Sequence, residues 1–392
     1  MTTKSSIDSP KLAALGEERC RWFRERMPVQ RALKASFSRR RPLAGCSIAI
    51  CMHIEPKTAV WIDTLQAGGA KEICLVGCVG STQPPIAAYL AGREGVSVLG
   101  KEHDTHRDQT RNIDIALATG RDILLDNGGS MIARWHGRQF GWSPRGATEE
   151  TRSGQLEIES KVRAPRFPVI VVDDSPLKKA LENTIGVGQS VVDGLMRATS
   201  LLLGGKRILI IGYGWCGRGI ASRLRGMGAV ILVHDVDPVR LLQAKLEGNT
   251  VEPLTAMLRS ADIVLTATGR AGAIGRSHIP SLKDGAILCN AGHFAMEIDT
   301  DFLRQSFRSR NLTPKITEYR KGKKHLFLLA KAHLVNLAAA DGNPIEIMDM
   351  GLGLQALCAA EITSPKCGLP AGLHAVPRNI NVSLARLCLS LH

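Results

Sequence analysis

Long apolar runs are missing from this 392-residue sequence, as are other signals that place a chain in a special class of protein. No stretch approaches the roughly 18 to 20 uninterrupted apolar residues of a membrane helix, so we expect no membrane span. The polar N-terminal stretch argues against a secretory signal. Internal repeats and low-complexity tracts are also missing. Hydrophobic residues make up 44% and charged residues 22%, both near the average for globular proteins, which argues against fibrous and disordered architectures.

The ten cysteines form no CxxC pair and follow no regular spacing. Most lie in apolar runs, such as Cys51 in SIAICMHI and Cys289 in AILCNAG, where a thiol packs as a small hydrophobic group. We therefore expect a reduced, cytoplasmic protein without a metal site.

Acidic residues are too few to balance the basic ones: 51 Lys and Arg against 36 Asp and Glu leave a net charge of +15. Such a surplus suits nucleic acid, a membrane surface or an anionic substrate. The basic run Arg39 to Arg41, in SFSRRRPLAG, has no interleaved aromatic residues, so we interpret it as a solvated connector. We expect neither a nucleic acid nor a membrane as a partner.

Short apolar runs alternate with helical patterns from Ser47 onward. The first series predicts strands at SIAICMHI (47–54), EICLVGCV (72–79), VSVLG (96–100), RDILLDNGG (121–129) and FPVIVVDDS (167–175). The second begins with a predicted helix, SVVDGLMRATSLLLGG (190–205), and continues in the strands KRILIIG, AVILVHD, ADIVLTATG, GAILCNAG and HLFLLA. This alternation predicts an α/β fold with two doubly wound, parallel-sheet, Rossmann-like domains.

A dinucleotide motif opens the second series. Gly212, Gly214 and Gly217 form GxGxxG between a predicted strand and a helix, where they permit a tight turn, close approach of a pyrophosphate and close helix packing. Asp235 ends the next strand, where a carboxylate accepts hydrogen bonds from ribose hydroxyls and repels a 2'-phosphate; nearby Arg240 weakens that preference slightly. The alternative is a plain βα turn. The motif predicts NAD as the cofactor.

Many segments of the chain resemble one enzyme family. They are, in order, CMHIEPKTAV, GSTQ, LLDNGG, GATEETRSG, DDSPLKKALEN, VDGLMRAT, IIGYGWCGRG, LQAKLEG, TATG, CNAGHFAMEID and LVNLA. From about Pro42 onward the chain resembles S-adenosyl-L-homocysteine hydrolases. The resemblance implies a substrate-binding domain over 1–183, an NAD-binding domain over 184–343, and a segment over 344–392 that returns to the substrate domain.

The family's chemistry, as the resemblance implies it, begins with oxidation of a nucleoside's 3'-hydroxyl by tightly held NAD. The resulting ketone makes the C4' proton removable, the 5' substituent leaves, water adds, and the ketone is reduced again. The implied catalytic residues are His53 for proton transfer, Glu150 for the sugar hydroxyls, Lys178 for the 3'-hydroxyl proton, and His293 in the GHF loop.

The resemblance also implies a set of cofactor contacts. Besides the motif glycines and Asp235, these are Thr151, Ser153, Asn183, Asn290, Gly292 and Asn336.

Departures from the family cluster at the implied substrate site. The family's LDDGGD reads LDNGGS, so Asn127 replaces an aspartate and cannot exchange a proton near neutral pH. Glu55 replaces a threonine that helps hold the nucleoside, Glu182 replaces an aspartate, and Asn343 replaces a histidine near the adenine. The sequence ends at His392, before the arm that in the hydrolases lends a lysine and a tyrosine to a neighbouring protomer's NAD site. We therefore expect NAD to be held less completely, and we expect the homo-oligomer to be a dimer or a tetramer closed differently from the family's usual one.

Three functions fit these residues. The first is a lyase that stops after elimination, a net dehydratase that makes a 4',5'-unsaturated adenine nucleoside; it is similar to the hydrolase-like enzymes that make angustmycin A from psicofuranine. Glu55 or Asn343 would then serve a reshaped sugar pocket. The second is hydrolysis of S-adenosylhomocysteine, which the family's usual activity favours and against which Asn127 and the missing arm argue. The third is a regulatory homologue that binds NAD without catalysis, against which the retained His53, Glu150 and Lys178 argue.

Overall fold

Two compact units make up the chain. The computed structural model describes residues 3–292 and 295–391. The first unit holds the residues up to Lys178 and those from Ile345 onward, and the second holds Lys179–Pro344. Within the described ranges, each unit has one seven-stranded sheet.

The strands are short, as parallel strands between helices usually are. In chain order they are β1 Ser47–Met52, β2 Glu72–Gly77, β3 Val96–Leu99, β4 Ile123–Asp126, β5 Gly146–Glu149, β6 Pro168–Val171, β7 Arg207–Ile211, β8 Val230–His234, β9 Ile263–Thr266, β10 Ala286–Asn290, β11 Arg308–Thr313, β12 Ile316–Lys321, β13 Lys324–Leu329 and β14 Gly372–Ala375.

Helices connect most of these strands. They are α1 Ala13–Arg26, α2 Pro28–Arg40, α3 Pro56–Ala67, α4 Pro84–Ala91, α5 His106–Leu117, α6 Ser130–His136, α7 Arg152–Lys161, α8 Val187–Thr199, α9 Trp215–Gly226, α10 Pro238–Leu246, α11 Leu254–Ser260, α12 Thr300–Ser306, α13 Val335–Ala338, α14 Ile345–Thr363 and α15 Arg378–Leu391, with a π-helical segment over Lys178–Gly186.

The sheet of the first unit has the order β14-β6-β5-β4-β1-β2-β3, with every pairing parallel. The strand order reverses direction between β1 and β4, and in open α/β sheets ligands bind at the carboxyl ends beside such a switch point. Helix α14 packs into this unit, where the buried Asp349 accepts the backbone N–H groups of Val29 and Gln30, both at 2.8 Å, at the start of α2. The C-terminal segment is thereby joined to the N-terminal helices.

The sheet of the second unit has the order β11-β12-β13-β10-β9-β7-β8. Its strands β8, β7, β9, β10 and β13 are parallel, whereas β11, β12 and β13 form an antiparallel meander. The direction reverses at β7, directly before the glycine motif. The expected α/β architecture of two Rossmann-like parallel sheets is confirmed.

Some local expectations were wrong or incomplete. The helix expected over 190–205 is α8, which ends at Thr199 because Ser200 adopts a left-handed conformation with φ of 53°. Strands β5, β11, β12 and β14 were not predicted; three of them are short or mostly exposed, so they lack the apolar signal of a buried strand. No helix in the described ranges is long and apolar enough to cross a bilayer.

Candidate active site

Three neighbouring strands of the first unit deliver polar side chains to one edge of the sheet. His53 directly follows β1, Asn127 directly follows β4, and Glu150 directly follows β5. Because β5, β4 and β1 are adjacent and parallel, their carboxyl ends lie side by side. Residues almost a hundred positions apart in sequence thus form one candidate site.

Glu150 is the centre of this cluster. Its Oε1 lies 3.0 Å from Lys178 Nζ, and its Oε2 accepts the Asn127 side-chain amide at 2.6 Å. All three residues are buried. Burial alone would raise the pKa of Glu150, but the charge and hydrogen bond of Lys178 and the Asn127 amide outweigh it, so the pKa lies below its ordinary value. The carboxylate is therefore ionised and oriented by two partners.

His53 is held in the neutral form. Burial, together with the charges of Lys57 and Lys178, lowers its pKa from 6.5 to about 4, although Glu150 opposes the shift. Its Nδ1 lies 2.7 Å from Ser81 Oγ, which donates to the Cys78 carbonyl at 3.0 Å. This network assigns the imidazole proton to Nδ1 and makes Nε2 the basic nitrogen. Ser81, from the GSTQ segment, was missed as an orienting group.

A buried ion pair follows His53. Glu55 precedes helix α3 and Lys57 lies in its first turn, with 2.7 Å between Glu55 Oε2 and Lys57 Nζ. The Lys57 side chain is 1% exposed, and its ammonium lies 5.7 Å from the centre of the Phe23 ring. Glu55 was predicted to contact substrate, but Lys57 was missed. The useful signal was a charged pair inside an otherwise apolar strand-to-helix segment.

Thr151 and Ser153 begin helix α7. Thr151 Oγ1 accepts the Gly154 N–H at 2.9 Å and caps the helix, and Ser153 Oγ donates to Thr151 Oγ1 at 3.2 Å. The hydroxyls are thus already used in local structure. Their predicted contact with the cofactor stays a prediction.

Glu182 and Asn183 lie in the π-helical segment that begins at Lys178. Glu182 is 4% exposed. Segments of this kind are rare and often occur at functional sites. Ser175 Oγ accepts the N–H groups of Leu177 and Lys178, at 3.1 and 3.4 Å, and so orders the entry to the segment.

The glycine motif of the second unit has the backbone that a dinucleotide needs. Gly212 follows β7 with φ of 97°, and Gly214 precedes the first residue of α9. A Cβ at Gly217 would lie 1.9 Å from the Gly212 carbonyl oxygen, so only glycine allows this close packing. The turn leaves the N-terminus of α9 accessible to a pyrophosphate, and the residues fit NAD.

Asp235 directly follows β8 and is buried. Its Oδ2 accepts the Tyr213 N–H at 2.7 Å, and its Oδ1 accepts the Asp237 N–H at 2.9 Å. These bonds fix the carboxylate and still leave lone pairs for ribose hydroxyls. Arg240 Nη1 lies 3.5 Å from Asp235 Oδ2, and Arg240 Nε lies 3.6 Å from Asp237 Oδ2, so the guanidinium forms ion pairs with both carboxylates.

Asn290 organises the loop after β10. Its Oδ1 accepts from Thr266 Oγ1 at 3.0 Å and from the Gly292 N–H at 2.8 Å, while its amide donates to the Ala332 carbonyl at 2.8 Å. These hydrogen bonds give Asn290 a structural role in its own loop. Its predicted contact with the cofactor stays a prediction. Gly292 is needed here because a Cβ would lie 1.4 Å from Glu297 Oε1. His293 lies outside the described residues.

The side chains of Asn336 and Asn343 both hydrogen-bond to Ser190. The Asn336 amide donates to Ser190 Oγ at 3.1 Å, and Ser190 Oγ donates to Asn343 Oδ1 at 2.8 Å. Ser190, near the start of α8, was missed as the bridge between them. Among the described residues, no cluster of three or more His, Cys, Asp or Glu side chains could hold a metal ion.

Comparisons with known proteins agree with this arrangement. The model of the S-adenosyl-L-homocysteine hydrolase NAD binding domain matches residues 183–342, and that of S-adenosyl-L-homocysteine hydrolase matches residues 4–206. The chain is 41% identical to an S-inosyl-L-homocysteine hydrolase of Methanopyrus kandleri over 97% of its own length and 92% of that protein. It is 39% identical to an adenosylhomocysteinase of Pyrococcus abyssi over 98% of its length and 93% of that protein.

A solved structure supports the fold alone. A dipicolinate synthase polypeptide from Bacillus halodurans matches with a TM-score of 0.50 at 14% identity, over 82% of this chain and 100% of that one. The family is shown instead by the sequence models and by the relatives at about 40% identity. With its NAD-binding domain, the chain belongs to the S-adenosyl-L-homocysteine hydrolase family.

Proposed function

We propose that the chain is an NAD-dependent nucleoside lyase, a net dehydratase that converts an adenine nucleoside of the psicofuranine type into its 4',5'-unsaturated product. One observation carries the proposal: a neutral amide, Asn127, lies 2.6 Å from Glu150 where the family has an ionisable aspartate. An amide can orient a substrate but cannot exchange protons near neutral pH. Its presence supports chemistry that stops before water is activated for addition.

The cofactor would be held by residues that fit it. Gly212, Gly214 and Gly217 leave the N-terminus of α9 for the pyrophosphate, and Asp235 presents a carboxylate to the adenosine ribose. When bound, NAD supplies reversible two-electron oxidation of the 3'-carbon of the substrate.

Glu150 and Lys178 suit the handling of the 3'-hydroxyl. Glu150 accepts hydrogen bonds from sugar hydroxyls. Lys178, 3.0 Å from it, takes the hydroxyl proton during oxidation after its ammonium has lost a proton, because only the neutral amine can act as a base. Burial of the pair keeps water away and strengthens the interaction between the charges.

His53 is the base that we assign to the C4' proton. Its low pKa keeps the ring neutral at physiological pH, and the Nδ1 contact with Ser81 leaves Nε2 as the acceptor. Transfer of the C4' proton to His53 forms the C4'–C5' double bond, and the 5'-hydroxyl leaves as water after accepting this proton from His53. Reduction of the 3'-ketone then completes a dehydration in which the atoms balance.

The buried Glu55–Lys57 pair supports selectivity at the substrate. A fixed carboxylate and ammonium 2.7 Å apart present one acceptor and one donor beside His53. We propose that Glu55 contacts the substrate. Asn343 is the second proposed contact, with its amide oriented through Ser190.

Hydrolysis of a purine-nucleosyl homocysteine is the second candidate. It is favoured by the names of two relatives, an S-inosyl-L-homocysteine hydrolase at 41% identity and an adenosylhomocysteinase at 39% identity. A silent NAD-binding homologue is less well supported, because His53, Glu150 and Lys178 keep an arrangement suited to catalysis.

One product analysis separates these functions. The protein is incubated with NAD and, separately, with psicofuranine, adenosine, S-adenosylhomocysteine and S-inosylhomocysteine, and the products are identified by mass spectrometry. Loss of one water, about 18 mass units, without homocysteine supports the dehydratase, since elimination without re-addition requires that change. Homocysteine release with a free nucleoside supports the hydrolase, and NAD binding without turnover supports the regulator.

A further inference from the structure

Glu149 is a fully buried carboxylate that takes no direct part in the chemistry proposed above. It is the last residue of β5 and is 0% exposed. Its Oε2 accepts the Gly129 N–H at 2.8 Å, and its Oε1 accepts the Gly128 N–H at 3.0 Å. Oε1 also accepts the N–H and the hydroxyl of Thr151, both at 2.8 Å. One carboxylate thus collects four hydrogen bonds from two loops.

These two loops carry the central polar side chains of the first unit. Asn127 immediately precedes Gly128, and Glu150 lies between Glu149 and Thr151. Successive residues of an extended strand point to opposite faces, so Glu149 and Glu150 serve different sides of the same chain. The loops are therefore joined twice, by Asn127 and Glu150 on one side and by Glu149 and the glycine amides on the other.

Two glycines make room for this connection. Gly129 has φ of 72°, and a Cβ there would lie 2.4 Å from the Gly154 carbonyl oxygen. A Cβ at Gly154 would lie 2.1 Å from Glu149 Oε1. The glutamate carboxylate thus occupies the space that any side chain at position 154 would need.

Burying this carboxylate is costly. Burial, and then the negative charge of Asp126 at the neighbouring position of β4, raise the pKa of Glu149 well above its ordinary value. A hydrophobic residue would avoid that cost but could not accept four hydrogen bonds. A hydrogen-bond acceptor at this position holds the two loops in their observed geometry.

We propose that Glu149 is a positioning residue: by joining the Gly128–Gly129 loop to Thr151, it fixes where Asn127 and Glu150 present their side chains. The joining of the loops follows from the hydrogen bonds alone, whereas its effect on turnover rests on the proposed function. The amides of Gly128 and Gly129 and the side chain of Thr151 would reorganise without the carboxylate. Asn127 would then lose its alignment with Glu150.

Glu149→Gln tests the proposal, because glutamine keeps the shape but replaces one acceptor oxygen with a donor NH₂ group. Glu157→Gln is the matched control, since Glu157 lies on α7 in a surface pair with Lys161. Hydrogen exchange followed by mass spectrometry is read on peptides that cover 127–131 and 149–154. We expect exchange at Gly128, Gly129 and Thr151 to become about tenfold faster or more in Glu149→Gln, because a buried hydrogen bond worth about 1.4 kcal/mol is lost. It should be unchanged in Glu157→Gln.

Turnover of whichever nucleoside the wild-type enzyme converts is the second measurement. Because small misplacements of reacting groups can cost about 100-fold in rate, kcat should fall by about 10 to 100-fold, while KM changes by less than about threefold. A double-mutant cycle that combines Glu149→Gln with Asn127→Ala should show coupling. The loss of kcat in the double variant should be smaller than the product of the losses in the two single variants. Additive effects, or kcat within about twofold of wild type, would overturn the positioning role.

Gly154→Ala provides a second variant in case Glu149→Gln does not fold. It keeps the carboxylate but pushes it away, and it should speed exchange at Gly128 and Gly129 as well. Unchanged exchange in either folded variant contradicts the proposal. If wild type converts no nucleoside, the proposed function fails, and the exchange experiment still decides whether Glu149 joins the two loops.

Discussion

The candidate sites of the two units of this enzyme consist of different kinds of chemical group. The first uses buried charges: Lys178 with Glu150, Lys57 with Glu55, and the Asp126 and Glu149 carboxylates. The second uses backbone and neutral amides: the glycine turn at 212–217, Asn290 and the Asn336–Ser190–Asn343 chain. Proton transfer needs groups that change charge, whereas a pyrophosphate can be bound by backbone N–H groups.

This difference has an energetic consequence. A buried charge is tolerable only while its partner remains, so removal of one member leaves a penalty on the other. A glycine turn carries no such penalty, but it fails sterically when a Cβ is added. We therefore expect the first unit to be most sensitive to removal of one member of a buried ion pair, and the second to be most sensitive to a side chain added at a glycine.

Removal of the Lys178 ammonium should give the largest effect. In Lys178→Met, Glu150 stays buried with only the Asn127 amide, so we expect about 3 kcal/mol of lost stability, typical of breaking a buried ion pair. Turnover should fall by about 1,000-fold, as for loss of a general base. Urea unfolding and steady-state kinetics measure both. Lys161→Met, at a surface ion pair, is the control and should shift stability by less than about 0.5 kcal/mol.

An added methyl group tests the second unit. In Gly217→Ala the new Cβ would lie 1.9 Å from the Gly212 carbonyl oxygen, so the N-terminus of α9 must move. Overpacking costs about 1 to 3 kcal/mol, so the Kd for NAD measured by calorimetry should rise by about 5 to 150-fold. Gly226→Ala, on the same helix with open space around it, should leave the Kd within about twofold of wild type. Equal Kd values for the two variants would contradict the steric argument.

Asn127→Asp should convert the amide into a family-like acid. The Asn127 amide donates to Glu150 at 2.6 Å, and an aspartic acid can make that contact only when protonated, so the new carboxyl should have a raised pKa. Homocysteine release from S-adenosylhomocysteine should increase about tenfold or more, because an acid–base group is regained. Asn127→Ala is the matched control and should show no gain. A gain in both variants would mean that the amide merely blocks the site.

A pH dependence of stability should come from His53. The folded-state pKa of about 4 lies below the ordinary 6.5, so the unfolded chain binds a proton first as pH falls. His53 therefore costs stability progressively from pH 6.5 down to 4. The free energy of unfolding of His53→Gln minus that of wild type should rise as pH falls across this window and stay constant above about pH 7.5.

Asp126→Asn should alter the pH dependence of stability in the direction opposite to His53→Gln. Burial raises the pKa of Asp126 from 3.8 to about 6, so its contribution is present at low pH and is lost as pH rises through 6. The stability of Asp126→Asn relative to wild type should therefore increase as pH rises from 4 to 6. Parallel pH profiles for the two variants would contradict these assignments.

Much of the first-unit site was predictable because its residues lie in recognisable segments at strand ends. His53, Asn127 and Glu150 were identified from resemblance, and the structure brings Asn127, Glu150 and Lys178 into one hydrogen-bonded group. Glu149 was missed although it is adjacent to Glu150, because a sequence does not show which groups each of two successive carboxylates contacts. Lys57 was missed since its partner Glu55 was interpreted alone.

In the second unit, the sequence by itself determined the glycine turn and the acid that follows the next strand, because local backbone geometry and short loops dictate both. Only the tertiary structure decided that Asn290 organises its own loop, that Ser190 joins Asn336 to Asn343, and that Glu149 joins two strand ends. The contacts of Asn290 with Ala332, of Ser190 with Asn343 and of Glu149 with Gly128 join residues that are 42, 153 and 21 positions apart in the chain. Burial gives each hydrogen bond its importance, and burial arises only when the whole sheet has formed.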